Sequence, residues 1–268
     1  MESLWGSFLD LLPGNWDLFK LWPIWRFLLE GLKVSVQIAV IAIVISLVVG
    51  ILMAVARLAP IPIVRILATT YIETFRATPL LLLMFFVFFG AGRFNTAWAQ
   101  DMPLLSWFVD DNTGDLTAVA SAILALSLYN SAVVAEIMRA GILSISKGII
   151  EATRALGLTY MQSMRHVAVP MALRRMSPGL VSQLITLYKD TSLAALLAVE
   201  ELLRRGKIIY ESPAYSAATI EVLIVVSLFY FLPNYALSLV AARLERGPDL
   251  RHVGGEAAAG LETAVGHG

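Results

Sequence analysis

The feature of the sequence that most constrains the fold is a run without charged side chains, which extends over 23 residues from Val34 to Ala56. As a helix, such a run crosses a hydrocarbon core of about 30 Å. The whole chain of 268 residues is 58% hydrophobic and only 15% charged, and its mean hydropathy is +0.76. Soluble domains carry fewer apolar and more charged residues. The sequence therefore predicts an integral membrane protein with several spans and short loops.

Four more apolar segments follow the first, so the sequence predicts an all-α membrane protein with five transmembrane helices. The fourth segment is expected to begin at Ser177 and Pro178, because a serine cap followed by a first-turn proline is a common helix start. The five predicted spans are 34–56, 66–92, 116–138, 178–199 and 217–239.

Three regions are predicted along the chain. Residues 1–30 are rich in tryptophan, which favours the headgroup level, and are interpreted as an interfacial lead-in, with a disordered tail as the alternative. They lack the basic start and the apolar core of a cleaved signal peptide, so we expect the N-terminus to be retained. Residues 31–247 form the transmembrane domain, and residues 248–268 are expected to be a flexible tail. The loop after the second span is acidic and contains Asp101, Asp110, Asp111 and Asp115.

A polar segment between the third and fourth spans is interpreted as two short helices with a tight turn. Gly157 stands where the first helix needs a left-handed residue at its end. Thr159 and Gln162 have the spacing of a capping box for the second helix, and Pro170 is expected to close that helix. On this pattern alone, a surface hairpin without a specific role remains an alternative. Five cations lie on or beside the segment: Lys147, Arg154, Arg165, Arg174 and Arg175.

The distribution of Lys and Arg predicts the orientation of the chain in the membrane. Ten of the twenty lie on the side of the polar segment and seven on the other side. Because cytoplasmic loops are enriched in Lys and Arg, the N-terminus is expected outside and the C-terminus in the cytoplasm. The cluster of Arg204, Arg205 and Lys207 on the opposite side argues against this orientation.

Seven ionisable side chains lie inside the predicted spans or at their borders. Such groups are costly in a bilayer, so they usually face a polar cavity or a charged partner. Glu73 and Arg76, like Glu136 and Arg139, have the spacing of an ion pair on one helix face, and a structural pair is slightly favoured over contact with a substrate. The seven residues are Glu73, Arg76, Glu136, Arg139, Lys189, Asp190 and Glu221.

The sequence lacks the features of several other function classes. A formal net charge of zero without a basic patch argues against nucleic-acid binding. Gly206-Lys207 lacks both the upstream glycine and the following hydroxyl of a phosphate-binding loop, so the chain cannot hydrolyse ATP by that route. There is no cysteine, and the three histidines are scattered without metal-ligand spacing. We therefore expect a transport subunit with no catalytic site, no metal and no cofactor of its own.

The spacing of the polar segment resembles the EAA loop of bacterial ABC-importer permeases. The pattern of that loop is E-A-A, three residues, Gly, nine residues and aliphatic-x-aliphatic-Pro. The sequence has Glu151-Ala152, then Gly157, then an aliphatic residue at Val167 and finally Pro170. Thr153 replaces the second Ala, and a small β-branched residue is expected to pack there as well.

Five segments resemble, in order, the signatures of the polar amino acid permeases of the histidine, glutamine, arginine and glutamate type. The resemblance covers about residues 32–247. Ile149 and Met171 stand where family members often have Gln, and Ser182 stands where many have Asn, which affects the expected partner fit and substrate preference. The five segments are Phe75-Arg-Ala-Thr-Pro-Leu80, Ala135-Glu-Ile-Met-Arg-Ala-Gly-Ile142, Ser146-Lys-Gly148, Ala155-Leu-Gly157 and Lys189-Asp-Thr-Ser-Leu193.

The resemblance implies a type I importer permease with the MetI-like fold and a cytoplasmic coupling helix in the loop 144–170, between helices 3 and 4. Two permease subunits, identical or homologous, would face each other across a central path in the lipid bilayer of the bacterial inner membrane. An extracytoplasmic binding protein would deliver a polar amino acid, and ATP with Mg would act on separate ATP-binding subunits. The residues implied in ATPase coupling are Glu151, Ala152, Gly157 and Pro170.

The substrate path is assigned by the same resemblance and by charge, since a zwitterionic amino acid needs both an anionic and a cationic partner. Asp190 has the alternative role of neutralising the adjacent Lys189. The rival function is a secondary amino acid transporter driven by an ion gradient, which gives no reason for the coupling-loop spacing and has no visible inverted repeat. Which amino acid is carried is left open. The path candidates are Arg76, Glu136, Lys189, Asp190, Thr191 and Ser192.

Overall fold

The computed structural model describes residues 14–94 and 115–245, and every element of secondary structure in these two ranges is helical. Three 3₁₀ turns, Asp17–Lys20, Thr191–Leu197 and Ser216–Ala218, and one π-helical turn, Met164–Ala168, connect the α-helices. The expectations for residues 1–13, for most of the acidic loop and for the tail 248–268 lie outside the described residues. The α-helices are α1 (Trp22–Arg57), α2 (Pro62–Ala77), α3 (Leu80–Phe94), α4 (Leu116–Leu143), α5 (Lys147–Ala155), α6 (Tyr160–Ser163), α7 (Val169–Asp190), α8 (Leu202–Glu211) and α9 (Thr219–Glu245).

Three helical segments of the described ranges are long and apolar enough to cross a membrane, namely α1, α4, and α9 with the turn before it. α2 and α3 pass the same test only as a pair, and the chain bends by 106° between them. The prediction of a continuous second span over 66–92 is therefore wrong. Pro79 disfavours helical backbone at the residue before it, and Thr78 is indeed extended, with φ −86° and ψ 129°. The described residues thus hold three or four spans, and the count of five stays a prediction.

The helix of the predicted fourth span begins at Val169 and not at Pro178. Pro178 lies inside α7, where it removes the N–H that would bind the carbonyl of Arg174. Ser177 Oγ donates to that carbonyl at 2.9 Å. The hydroxyl beside the proline therefore replaces the lost hydrogen bond, and Ser177 is not an N-cap. α7 is not among the described helices that qualify as spans by hydropathy.

α1 and α4 pack along a seam of small residues. A Cβ atom added at Gly50 would lie 2.5 Å from Val134 Cγ1, so the two helices approach as closely as a glycine permits. Ser46 Oγ also donates to the carbonyl of Ser127 at 3.4 Å. Close approach of this kind favours helix association in lipid, where the surrounding tails are as apolar as the helices. Small residues recur every fourth position on this face of α1: Ala42, Ser46, Gly50 and Ala54.

The short helix α8 is held against α1 and α9 by two buried charged residues. Glu201 caps its N-terminus by accepting from two backbone N–H groups, and it also accepts from Tyr230 Oη at 2.6 Å. The side chain of Arg205 is only 2% exposed and pairs with Glu30 at 2.7 Å and with Glu200 at 3.4 Å. The cationic cluster at 204–207 thus contains one arginine whose charge is neutralised inside the protein.

A proline in α9 leaves a carbonyl that is bound by a side chain from α7. Pro233 removes the N–H that would bind the carbonyl of Phe229. Tyr188 Oη donates to this carbonyl at 3.3 Å. Tyr188 is buried, and its ring lies 5.5 Å from that of Tyr230. α7 and α9 are therefore joined by a hydrogen bond that a helix without Pro233 would make internally.

Candidate functional site

The helix α5 ends in the turn that the sequence predicts. Gly157 has a φ of +84°, in the left-handed region that disfavours residues with a Cβ. Its N–H donates to the carbonyl of Arg154 at 2.9 Å, and Leu158 N–H donates to that of Thr153 at 3.1 Å. These are the two hydrogen bonds of a Schellman motif. The predicted stop at Gly157 is therefore confirmed, and it fixes where the surface of α5 ends.

The predicted capping box opens the second short helix, α6. Thr159 N–H donates to Gln162 Oε1 at 2.9 Å, and Gln162 N–H donates to Thr159 Oγ1 at 3.3 Å. The two residues thereby satisfy each other's backbone donors. The predicted helix, turn, helix unit is present between α4 and α7.

The prediction that Pro170 closes the second helix is wrong. Past Ser163 the chain runs through the π-helical turn Met164–Ala168 directly into α7, and Pro170 stands in the first turn of α7. A proline is tolerated there, because the first N–H groups of a helix have no partner within it. α6, the π-turn and α7 thus form one nearly continuous helical path from the loop towards Lys189.

The outward face of α5 combines a charge, two small residues and one large apolar side chain. Glu151, Ala152 and Ala155 are exposed. Leu156, which directly precedes the glycine turn, is 79% exposed, the highest value among the large hydrophobic residues of the described ranges. The exposed surface at the end of α5 therefore places a carboxylate, small side chains and an apolar side chain next to one another.

The inward face of α5 is tied to α6 by two hydroxyl groups. Thr153 is buried, with 8% exposure, and its Oγ1 lies 2.7 Å from Ser163 Oγ, which is fully buried. Thr153 is the residue that departs from the E-A-A pattern. The expectation that it packs closely there is confirmed, but its hydrogen bond to Ser163, ten residues away, was not foreseen.

The base of the loop is fixed by Arg175 on α7. Its Nη1 donates to the carbonyl of Ser144, the residue that caps the C-terminus of α4, and lies 3.3 Å from Ser144 Oγ. A guanidinium at a helix C-terminus also interacts favourably with the helix dipole. This contact therefore holds the end of α4 beside α7.

Charged side chains of α1, α2 and α4 form a network centred on Glu136. Arg139 donates to Glu136 at 2.5 and 3.0 Å, which confirms the predicted pair. Arg57 Nη1 donates to the same carboxylate at 2.7 Å, and Arg57 Nη2 donates to Glu73 at 2.8 Å. Within the described residues no ion pair joins Glu73 to Arg76, so that predicted pair is wrong. Glu73 turns to Arg57 because the long arginine side chain at the end of α1 reaches both carboxylates.

Sequence reasoning missed Arg57 as a site residue. Arg57 directly follows the uncharged run 34–56, so it is not among the seven ionisable residues assigned to the predicted spans. The only signal was its position one residue beyond that run, where an arginine extends along the helix to a polar partner.

The predicted motif 189–193 spans the end of α7 and the start of the 3₁₀ turn that follows it. Thr191 is buried and its Oγ1 donates to the carbonyl of Tyr188 at 2.7 Å, while Ser192 Oγ donates to that of Lys189 at 2.8 Å. Lys189 is exposed and Asp190 is half-buried. No ion pair links these two residues in the part of the chain that the structure describes. The hydroxyls therefore stabilise the end of α7, and no described hydrogen bond connects this motif with Glu136.

A polar pair that the sequence did not reveal joins α4 to α7. Gln183 Nε2 donates to Asn130 Oδ1 at 2.5 Å, and Asn130 Nδ2 donates to the carbonyl of Leu126 at 2.8 Å. Asn130 is fully buried. The buried amide of Asn130 is thereby satisfied, and the pair fixes the contact between the two helices.

Three comparisons with known proteins agree with this architecture. The chain is similar to the probable glutamine ABC transporter permease protein GlnP of Bacillus subtilis, with 38% identity over 82% of this chain and 92% of the relative. It is 32% identical to the arginine transport system permease protein ArtQ of the same organism, over 87% of this chain and 97% of the relative. A solved amino acid ABC transporter with histidines superposes with a TM-score of 0.68 at 26% identity, over 82% of this chain and 94% of that one.

The match to a protein family covers most of the chain. Residues 46–246 match the family described as the inner membrane component of binding-protein-dependent transport systems. This range contains all of the α1–α4 seam except Ala42, the loop with α5 and α6, and the network around Glu136. The chain therefore belongs to the family of inner membrane components of binding-protein-dependent transport systems.

Proposed function

We propose that this chain is the membrane-spanning permease subunit of an ATP-driven importer that moves a polar amino acid into the cytoplasm. Family membership favours this function over an ion-gradient-driven secondary transporter. The chain spans most of the length of relatives named for glutamine and arginine transport. The expected partners are two ATP-binding subunits, on which ATP and Mg act, an extracytoplasmic binding protein, and a second permease subunit that is identical or homologous.

The observation that carries the proposal is the exposed face of α5. Leu156 is 79% exposed on a loop that also carries Lys147 and Arg154, and cations of this kind are enriched in cytoplasmic loops. The Schellman motif at Gly157 holds this leucine in one position, so a partner surface binds it at a low cost in conformational entropy. We therefore assign α5 as the coupling helix that docks on the ATP-binding subunit.

The four coupling residues have separate roles in this proposal. Glu151 provides the charged or hydrogen-bonding contact that orients the docked helix, and Ala152 lets the partner approach the backbone closely. Gly157 makes the turn that presents Leu156. Pro170 starts α7 and thereby links the loop to the rest of the membrane domain.

The proposed orientation places the N-terminus outside and the C-terminus in the cytoplasm of a bacterial inner membrane. The contrary cluster at 204–207 is weakened by Arg205, which is paired with Glu30 and Glu200 inside the protein. A neutralised, buried arginine contributes little to the attraction of a loop to the cytoplasmic side. The remaining excess of cations lies on the side of α5.

The proposed substrate path is lined by charged residues that lie outside the network around Glu136. Arg76 and Lys189 are exposed and supply cationic contacts, and half-buried Asp190 supplies an anionic one. Glu136 forms ion pairs with Arg57 and Arg139, so we assign it a structural role beside the path and no direct contact with the substrate. Thr191 and Ser192 shape the path by fixing the end of α7.

The test is to purify the tagged chain in mild detergent from its own membranes and to identify the proteins that accompany it by mass spectrometry. An ATP-binding subunit is expected, and the reconstituted complex should take up glutamine, glutamate, arginine or histidine with ATP and the binding protein. A Gly157→Val variant should insert normally but lose uptake, because a β-branched residue strains the left-handed turn. A chain that purifies alone and takes up amino acids along an ion gradient would overturn the proposal.

A further inference from the structure

We infer that the buried hydroxyl pair of Thr153 and Ser163 is the contact through which a displacement of α5 passes to α6 and α7. The inference deepens the proposed function and rests on it, since α5 is the helix that a partner ATPase would move. It makes the two residues positioning residues of the transport cycle.

The two hydroxyls belong to one chain of hydrogen bonds. Thr153 Oγ1 lies 2.7 Å from Ser163 Oγ and 2.8 Å from the carbonyl oxygen of Ile150. Each hydroxyl has one proton to donate and lone pairs to accept, so the two groups and the carbonyl satisfy one another. Both side chains are buried, and water does not compete for these bonds. Among the described side chains of α5 and α6, this is the hydrogen bond that crosses between the two helices.

An open apolar cavity of about 140 Å³ lies among α5, the end of α4 and the segment that leads into α7. Ile150 is its lining residue from α5, and neither Thr153 nor Ser163 lines it. The hydroxyl pair is therefore a polar contact of α5 that is separate from this apolar region. The cavity is lined by Ile142, Ile145, Ile150, Ala168, Val169 and Ala172.

The chain beyond Ser163 leads directly to the membrane domain. α6 continues through the π-helical turn into α7, which ends beside Lys189. Arg175 ties the start of the loop to α7 by binding Ser144. A displacement of α5 reaches α6 and α7 through the turn at Gly157, through contacts with the π-helical turn and through the hydroxyl pair. Of these routes, the hydroxyl pair is the one that removal of a single hydroxyl group tests.

The experiment compares variants in the complete transporter reconstituted in proteoliposomes. Thr153→Val keeps the shape and removes the hydroxyl, Ser163→Ala removes the other hydroxyl, and the double variant removes both. Thr153→Ser keeps the hydroxyl and serves as the conservative variant. Ser146→Ala is the control, because Ser146 is an exposed hydroxyl of the same loop whose side chain makes no cap hydrogen bond. The readouts are the amount of ATP-binding subunit that copurifies and the number of radiolabelled glutamine or arginine molecules, whichever the wild type transports, per ATP hydrolysed.

The expected result is a loss of coupling without a loss of assembly. Thr153→Val and Ser163→Ala should each lower transport per ATP by about threefold or more, and the double variant should be no worse than either, because the pair acts as a unit. Thr153→Ser and Ser146→Ala should match the wild type. An unchanged ratio in both single variants, or losses that multiply in the double variant, would overturn the inference. A wild-type protein that neither binds an ATP-binding subunit nor transports would instead refute the proposed function.

Discussion

Arg57 at the end of α1 donates to Glu136 in α4 across 2.7 Å. The same carboxylate accepts from Arg139, and Arg57 also reaches Glu73 on α2. Three helices thus share one network of alternating charges, in which each carboxylate has a guanidinium partner. A carboxylate that two guanidinium groups already bind holds helices in register more readily than it binds a passing substrate.

Replacing Arg57 should destabilise the membrane domain. In Arg57→Ala both carboxylates lose a charged donor, which we expect to lower the free energy of unfolding by about 1–3 kcal/mol. Arg65→Ala is the control, because Arg65 is an exposed arginine near the start of α2. Thermal unfolding of the detergent-purified proteins checks the prediction, and equal midpoints for the two variants would contradict it.

Substitution by alanine should have opposite effects on local stability at two glycines of the proposed coupling loop, Gly148 and Gly157. Neither Gly148 nor Gly157 has an atom within 4 Å of an added Cβ, but only Gly157 has a positive φ. Gly157→Ala should cost about 1–2 kcal/mol in the stability of the turn, because a Cβ strains the left-handed conformation. Gly148→Ala should stabilise α5 by about 0.5–1 kcal/mol. Hydrogen exchange of residues 147–158 measures both effects, and faster exchange in both variants, or in neither, would contradict the prediction.

A methyl group at Gly50 should destabilise the packing of α1 against α4. A Cβ there would meet Val134 Cγ1 at 2.5 Å, so Gly50→Ala should cost about 1–3 kcal/mol by overpacking. Adding Val134→Ala should recover part of this loss, because it removes the clashing methyl. Gly90→Ala, where an added Cβ has no neighbour within 4 Å, is the matched control. Unfolding of purified protein in mixed micelles compares the variants, and equal effects at Gly50 and Gly90 would refute the close approach.

The hydrogen bond from Tyr188 to Phe229 should matter only while Pro233 is present. Tyr188→Phe leaves the carbonyl of Phe229 without its donor, at an expected cost of about 1 kcal/mol. In a Pro233→Ala background an N–H returns at position 233, and the cost should largely disappear. A double-mutant cycle on the unfolding free energy checks this, and additive effects would mean that the tyrosine hydroxyl does not serve this carbonyl.

Local chemistry explains what the sequence predicted well. The stop at Gly157 and the box of Thr159 and Gln162 depend on residues at most a few positions apart, and both are confirmed. The predictions of one unbroken span through Pro79 and of a helix start at Pro178 were wrong. At Pro178 the outcome depends on whether a nearby hydroxyl binds the carbonyl that a proline frees, and Ser177 does so. Composition and periodicity do not contain that information.

The candidate site was predicted where its residues are neighbours in sequence and missed where they are not. Glu136 and Arg139 were paired correctly because they lie one helical turn apart. Arg57 and Glu136 lie 79 residues apart, and Thr153 and Ser163 meet only after the turn has folded. Such contacts are set by the packing of helices, which a single sequence specifies only through the whole fold.

The amide pair of Asn130 and Gln183 has a consequence for how the protein is made. α7 carries too many polar groups to qualify as an independent span among the described helices, while α4 qualifies on its own. Gln183 finds its hydrogen-bond partner on α4, which the ribosome completes first. We therefore expect the predicted span α7 to enter the bilayer by packing against α4, because lipid alone favours so polar a helix less than a polar partner helix does.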